Sequence, residues 1–360
     1  MSNLPGIYTQ NKLAIQESEG GIAGGLSTGI TPLDRAMLGI RKARIIDVIG
    51  APKSGKTTLV DFTFLLNPYL LHPDEHIHWN YHSLEIDRVS KEFKLASFFI
   101  FNEFKIHKII HEDVEYNLTG EYLQGYSLDK KGNSIMVCPE IEEKLIYVYN
   151  KKIIPLMGKY SKEGYKEKNG AVNFYTTPMT PEQFDEYYRL YADKHGYYGT
   201  GGAWIPNDPD AYHIFVNDHV RKTKLGKKEF NLKQAVDNLS AVQVEWRDRC
   251  GFIFINLCHT NRMVSSIERQ RHAKNLIFPN SDDVKDTGNL AEDCNQLITI
   301  FNPCDERYNL TEHFGAKLAN YPNYRSLHLV ENRNGPSPRH IQTNMYPGIN
   351  LFTPLKQQIK

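Results

Sequence analysis

Apolar positions along this chain fall into short β-branched runs alternating with longer stretches of helical periodicity. Ile45, Ile46, Val48 and Ile49 form one such run, and its lack of in/out alternation predicts a strand buried on both faces of a parallel sheet. Further strands are predicted at about 76–81, 212–218, 251–257 and 325–330, with a helical turn and strand over 290–301. Between them lie helical patterns. One follows residue 58, and one runs from about 86 into the 100s with Phe93, Leu95, Ala96, Phe98, Phe99 and Phe101 as its apolar content. Others span 141–150, 181–195 (opened by Thr180) and 231–249. Thr31 reads as the cap of a short helix with Pro32 at its first position and Gly39 at its stop. Strands alternating with helices in this way define an α/β fold. Residues 110–205 carry the weakest pattern, and Tyr197-Tyr198-Gly199-Thr200-Gly201-Gly202 reads as a mobile loop. Residues 1–25 are polar, end in Gly20-Gly21-Ile22-Ala23-Gly24-Gly25, and read as a flexible arm or linker. No internal repeat emerges.

The first strand runs directly into Gly50-Ala51-Pro52-Lys53-Ser54-Gly55-Lys56-Thr57-Thr58, and then into a helical pattern. This is a phosphate-binding loop in the strand–loop–helix setting that the motif needs. Gly50 and Gly55 allow successive backbone N–H groups to converge on phosphate oxygens at a helix N-terminus. Lys56 is placed to reach the β- and γ-phosphates, and the Thr57 hydroxyl to complete a Mg²⁺ coordination sphere. The stretch implies binding of a nucleoside triphosphate.

Composition narrows the setting. Hydrophobic residues make up 40% of the 360 positions, enough for a substantial core, and the mean hydropathy of −0.50 is that of a soluble protein. No run approaches the ~20 apolar residues of a membrane span, and the amino terminus has no secretion signal. Cys138, Cys250, Cys258, Cys294 and Cys304 are scattered, which fits reduced thiols in the cytoplasm rather than a disulfide framework or zinc site. His72, His76 and His78 with Asp74 and Glu75 match no metal-ligand spacing and read as surface polarity. The net charge of +1 exerts no global pull on nucleic acid, so such binding requires local patches.

Two acids follow predicted strands. Glu85, in Ser83-Leu84-Glu85, sits where open α/β sheets place ligands and is a candidate general base for an attacking water. Asp218 ends the strand at 212–218, where it can hold Mg²⁺ opposite Thr57. Two basic stretches lie nearby. Arg221, Lys222, Lys224, Lys227 and Lys228 form the densest, and Arg262, Arg269, Arg271 and Lys274 the second. Either could be a solvated surface or a contact with nucleic-acid phosphates.

Several separated segments together resemble the replicative hexameric helicases of the DnaB type, within the RecA-like P-loop superfamily. Thr28-Gly29-Ile30 with Leu33-Asp34 and Gly39 resembles that family's entry to the phosphate loop, and Ser83-Leu84-Glu85 its catalytic-glutamate motif. His259-Thr260-Asn261-Arg262 resembles the close of Ser-Gln-Leu-Asn-Arg, and residues 281–295 track Ser-Asp-Leu-Arg-Glu-Ser-Gly-x-Ile-Glu-Gln-Asp-Ala-Asp. Arg333-Asn334-Gly335-Pro336 reproduces a turn whose arginine reaches a neighbouring subunit's γ-phosphate. The likeness covers about residues 26–352, leaving 353–360 as a tail, and includes a longer block at about 110–208.

The resemblance implies a RecA-like core with a central, mostly parallel, twisted sheet flanked by helices. It also implies ATP and Mg²⁺ as cofactors, Glu85 activating water, and His259 sensing the γ-phosphate. Arg333 would complete a neighbour's site, and the basic loops would track single-stranded DNA inside a homo-oligomeric, hexameric ring. Primase or a helicase loader are further implied partners, with no membrane, in the cytoplasm (a bacterial host's, if the chain is phage-encoded). Three departures stand out. His259 replaces a glutamine, which suggests a pH-sensitive sensor. Glu331 replaces a lysine, and no collar domain precedes residue 26. They leave room for a RecA- or KaiC-like ring or filament former without unwinding, or for a nucleotide-dependent scaffold or loader with weak hydrolysis.

Overall fold

The computed structural model describes residues 25–355 apart from 130, 161–165, 286–288, 334, 336 and 338, and without the side chains of Lys166 and Arg262. The arm up to residue 24, the tail from 356, Asp286-Thr287-Gly288, Asn334 and Pro336 thus lie outside the described residues.

A nine-stranded sheet organises the chain. Its strands are β1 (Arg44–Gly50), β2 (Ile77–Ser83), β3 (Val172–Tyr175), β4 (Tyr212–Asp218), β5 (Ile253–His259), β6 (Gln296–Phe301), β7 (Tyr324–Asn332), β8 (Arg339–Tyr346) and β9 (Leu351–Pro354). They lie in the order β9-β8-β7-β6-β1-β5-β4-β2-β3. From β6 to β3 all pairings are parallel, whereas β7, β8 and β9 are antiparallel additions. β9 carries the chain past residue 352 into the region expected to be tail.

The main helices are α1 (Thr31–Met37), α2 (Lys56–Val60), α3 (Arg88–Phe104), α4 (Pro139–Val148), α5 (Pro181–His195), α6 (Leu232–Cys250) and α7 (Ile267–Ala273). α2 continues through a π-helical stretch, Asp61–Leu66, into Asn67–Leu71. Successive side chains of a strand point to opposite faces, and the core divides accordingly. Ile46, Val48, Trp79, Tyr81, Ile214 and Val216 pack with α2 and α3 on one face. Ile45, Ile49, Phe215 and Phe254 pack with α5 and α6 on the other.

Local sequence explains most helix ends. Asp87 caps α3 by accepting from the Ser90 amide, and Thr180 opens α5 with a reciprocal capping box to Gln183. Thr31 does not cap α1. It is the first helical residue after Ile30, and the preceding turn is tied instead by Asp34, which accepts from the Thr28 amide and hydroxyl at 2.7 Å. Of the expected loop at 197–202, Tyr197 and Tyr198 belong to a strand, Gly196–Tyr198, that pairs with Trp204–Pro206, and residues 199–202 form the connection between the two strands.

Candidate functional site

β1 ends at Gly50 and the chain curls through Ala51–Ser54 before α2 begins at Lys56. The curl depends on two glycines. Gly55 has φ of 105°, and a Cβ there would fall onto Sδ of Met345 on β8. A Cβ on Gly50 would lie 2.6 Å from Ser54 Oγ and 2.8 Å from Ile300. β6 and β8 therefore pack against the loop from behind. Arg325 on β7 adds to this: its Nε donates to the Ser54 carbonyl at 3.0 Å, while Nη1 donates to Asn302 Oδ1 and the Tyr324 carbonyl. Nothing in the local sequence singles out Arg325.

Lys56 is 7% exposed, and its Nζ donates to the carbonyls of Gly50 (3.0 Å) and Ala51 (3.1 Å) and lies 3.0 Å from His259 Nδ1. Burial lowers its pKa to about 8, opposed by Asp218 and Glu85, so it is largely cationic at neutral pH. His259 ends β5 in register with Gly50. Burial, and then Lys56, lower its pKa to about 4. The imidazole is therefore neutral at physiological pH. With Nδ1 accepting from the lysine, the proton resides on Nε2, free to donate. The pH-sensitive sensor expected from the histidine is corrected by this: its titration has moved well below neutrality.

Asp218 closes β4 opposite Ser83. Its Oδ1 accepts from the Thr57 hydroxyl at 3.4 Å, and burial raises its pKa, with Lys91 the largest opposing influence. Behind it is a buried ionic group that sequence reading missed. Lys91 Nζ donates to Asp61 Oδ1 at 2.6 Å and to the Tyr81 hydroxyl at 2.8 Å. The Tyr81 hydroxyl in turn lies 2.9 Å from Asp61 Oδ1 and 3.5 Å from Asp218 Oδ2. Glu85 is exposed in the bend after β2, and the adjacent Leu84 amide donates to the Asp218 carbonyl at 2.7 Å.

The basic stretches divide. Lys222, Lys224, Lys227 and Lys228 are exposed on a loop held by Glu229, which accepts from the Gly226 amide and from Asn238. Leu225 and Phe230 are exposed beside them, Phe230 by 91%. Arg221 lies inward, where its charge acts on His219 and His259. On the second stretch Arg271 and Lys274 are exposed. Arg269 is committed inside the chain, donating to Asp283 Oδ1 at 2.6 Å and the Phe278 carbonyl at 2.7 Å. The Arg262 side chain lies outside the described residues.

Arg333 stands apart from the other site residues. Asn332 pairs with Gln296 at the start of β6, and Gln296 with Ile46, whereas Gly50 pairs with Ile300. Arg333 therefore sits at the opposite edge of the sheet from its own phosphate loop, at least about 13 Å away along the strands. There it is exposed, with its guanidinium on the Glu292 carbonyl.

The parallel sheet, the loop after β1 and the acid ending β4 together have the arrangement of a RecA-like P-loop fold. Comparison with solved structures takes this further. One solved ATPase domain matches with a TM-score of 0.64 at 15% identity, over 99% of this chain and 99% of that one. A DnaB-like replicative helicase, solved for its interactions with primase, matches with a TM-score of 0.64 at 15% identity, over 98% of this chain and 66% of that one. The chain thus has the fold of DnaB-like helicase ATPase domains and spans about two thirds of the latter protein. No protein-family model matches the sequence, and neither does any curated protein.

Proposed function

We propose that the chain is an oligomeric, Mg²⁺-dependent ATPase that moves on single-stranded DNA as a DnaB-like helicase or translocase. The observation that carries this reading is the convergence of Lys56, Thr57, Asp218 and His259 on one loop at the carboxyl edge of the sheet, with Glu85 beside it. The donors suit the ligands. Ser54 Oγ is buried with no hydrogen-bond partner among the described residues, and the Thr57 hydroxyl with the Asp218 carboxylate offers the hard oxygens that Mg²⁺ prefers. Bound Mg²⁺ supplies charge neutralisation at the phosphate oxygens.

The chain's own groups do the rest. Residues 50–58 hold the phosphates, and Lys56 exchanges its carbonyl contacts for β- and γ-phosphate oxygens. His259 Nε2 donates to the γ-phosphate. Glu85 takes a proton from water as that oxygen attacks phosphorus and ADP departs. Arg333 completes a neighbour's site. Lys222, Lys224, Lys227, Lys228, Arg271 and Lys274 contact DNA phosphates, and Phe230 offers a surface on which a base can stack. Lys56→Ala is expected to abolish ATP turnover in a phosphate-release assay, and full activity in that variant would refute the reading.

A further inference from the structure

At the opposite end of β2 and β4 from the nucleotide site, three histidines from three elements meet. His78 and His213 are paired in register on adjacent strands, and their rings stack with centroids 5.3 Å apart. His195, the last residue of α5, brings its ring to 5.1 Å from His78 and 5.2 Å from His213. One nitrogen from each lies within 4.8 Å of the others. We propose that His78, His195 and His213 form a binding site for a borderline divalent transition-metal ion of the Zn²⁺ class.

His213 carries the strongest indication. It is 6% exposed, yet Nε2 is buried with no hydrogen-bond partner among the described residues. Its Nδ1 lies 3.0 Å from the Tyr191 hydroxyl. A metal-bound histidine has the same arrangement, in which one nitrogen is anchored by an outer partner while the other keeps its lone pair for the ion. Tyr191 also stacks on His195, with ring centroids 4.2 Å apart, so one side chain orients two of the three imidazoles.

In a tetrahedral Zn²⁺ site the ligand nitrogens stand about 3.4 Å apart, so the present spacing closes with small ring rotations. Three nitrogens and no carboxylate select Zn²⁺, Co²⁺ or Ni²⁺ over Mg²⁺. The neighbouring Asp208 is taken by His76 at 2.5 Å. A fourth position is left for solvent. The ion would tie the end of α5 to the strands that carry Asp218 and lead to Glu85, without touching the nucleotide. His213 and Asp218 are five residues apart on β4, about 17 Å.

The competing reading is a packed aromatic cluster that ignores metals. Untagged full-length protein, stripped with a chelator, is titrated with Co²⁺. The site predicts d–d absorption of tetrahedral type saturating at one equivalent per chain, displaced by Zn²⁺ and unaffected by excess Mg²⁺. His195→Asn, at a half-buried helix end, should lose the bands, and Tyr191→Phe should weaken affinity about 10- to 100-fold. Absence of bands in the wild type, which requires no variant to fold, overturns the proposal. So do bands that persist unchanged in His195→Asn.

Discussion

Arg325 illustrates how much of the phosphate loop's shape is imposed from outside it. Its guanidinium holds the Ser54 carbonyl, so it fixes the loop's backbone rather than a phosphate. A hydrogen bond to a charged group contributes about 1.5–3 kcal/mol. Arg325→Met, which keeps the volume, should therefore raise the dissociation constant for ATP about 10- to 100-fold by calorimetry, and an unchanged affinity would mean that the loop holds itself. The residues legible in advance were those whose chemistry is local. Gly50, Gly55, Lys56 and Thr57 act within a single turn of chain, and Asp218 announces itself as an acid closing a β-branched run. Arg325 acts across 271 residues, and only the pairing of β6 with β7 brings it to the loop. The three histidines were hidden for the same reason. His78 looked like part of a local polar cluster because its real neighbours come from α5 and β4.

Among the elements, α2, α3, β2 and β4 are joined through Asp61, Lys91, Tyr81 and Asp218. Lys91 and Asp61 have fully buried side chains, and Lys94 Nζ lies a further 3.6 Å from Asp61 Oδ2, so removing Lys91 takes away the nearer of two cations and leaves the acid only partly compensated. Lys91→Met should lower stability by about 3 kcal/mol in denaturant unfolding. The apolar pattern of the helix from residue 86 gave no sign of this ionic group, because the partners of Lys91 come from α2 and β2. The loop after β4 gives a second test. Each phosphate contact with a single strand adds about 0.7 to the slope of log affinity against log salt. Reversing Lys224, Lys227 and Lys228 to glutamate should thus flatten the slope by about 2, and an unchanged slope would remove this loop from the DNA site. The parallel strands were legible because burial on both faces makes them continuously apolar. β3 was not, being four residues inside a polar block, and the hairpin after α5 was hidden by its glycines.

For the whole molecule, the decisive feature is that the nucleotide site and Arg333 occupy opposite edges of one sheet. No single copy can bring them together. Lys56→Ala and Arg333→Ala should each be inactive alone, the second by ~10³–10⁵ in rate if it acts as an arginine finger. Mixing the two should restore turnover, because an intact loop on one copy can meet an intact arginine on another. Failure of the mixture to exceed either parent would exclude a shared site. The geometry also sets a rule of counting. A contact between unlike edges repeats in one direction, so it either closes on itself or continues without limit. A closed circle of n copies contains n complete sites, whereas an open run contains n − 1 and leaves one loop and one arginine idle at its ends. Short open assemblies would therefore waste the largest share of their catalytic parts, and a plot of activity per copy against assembly size would register the moment of closure.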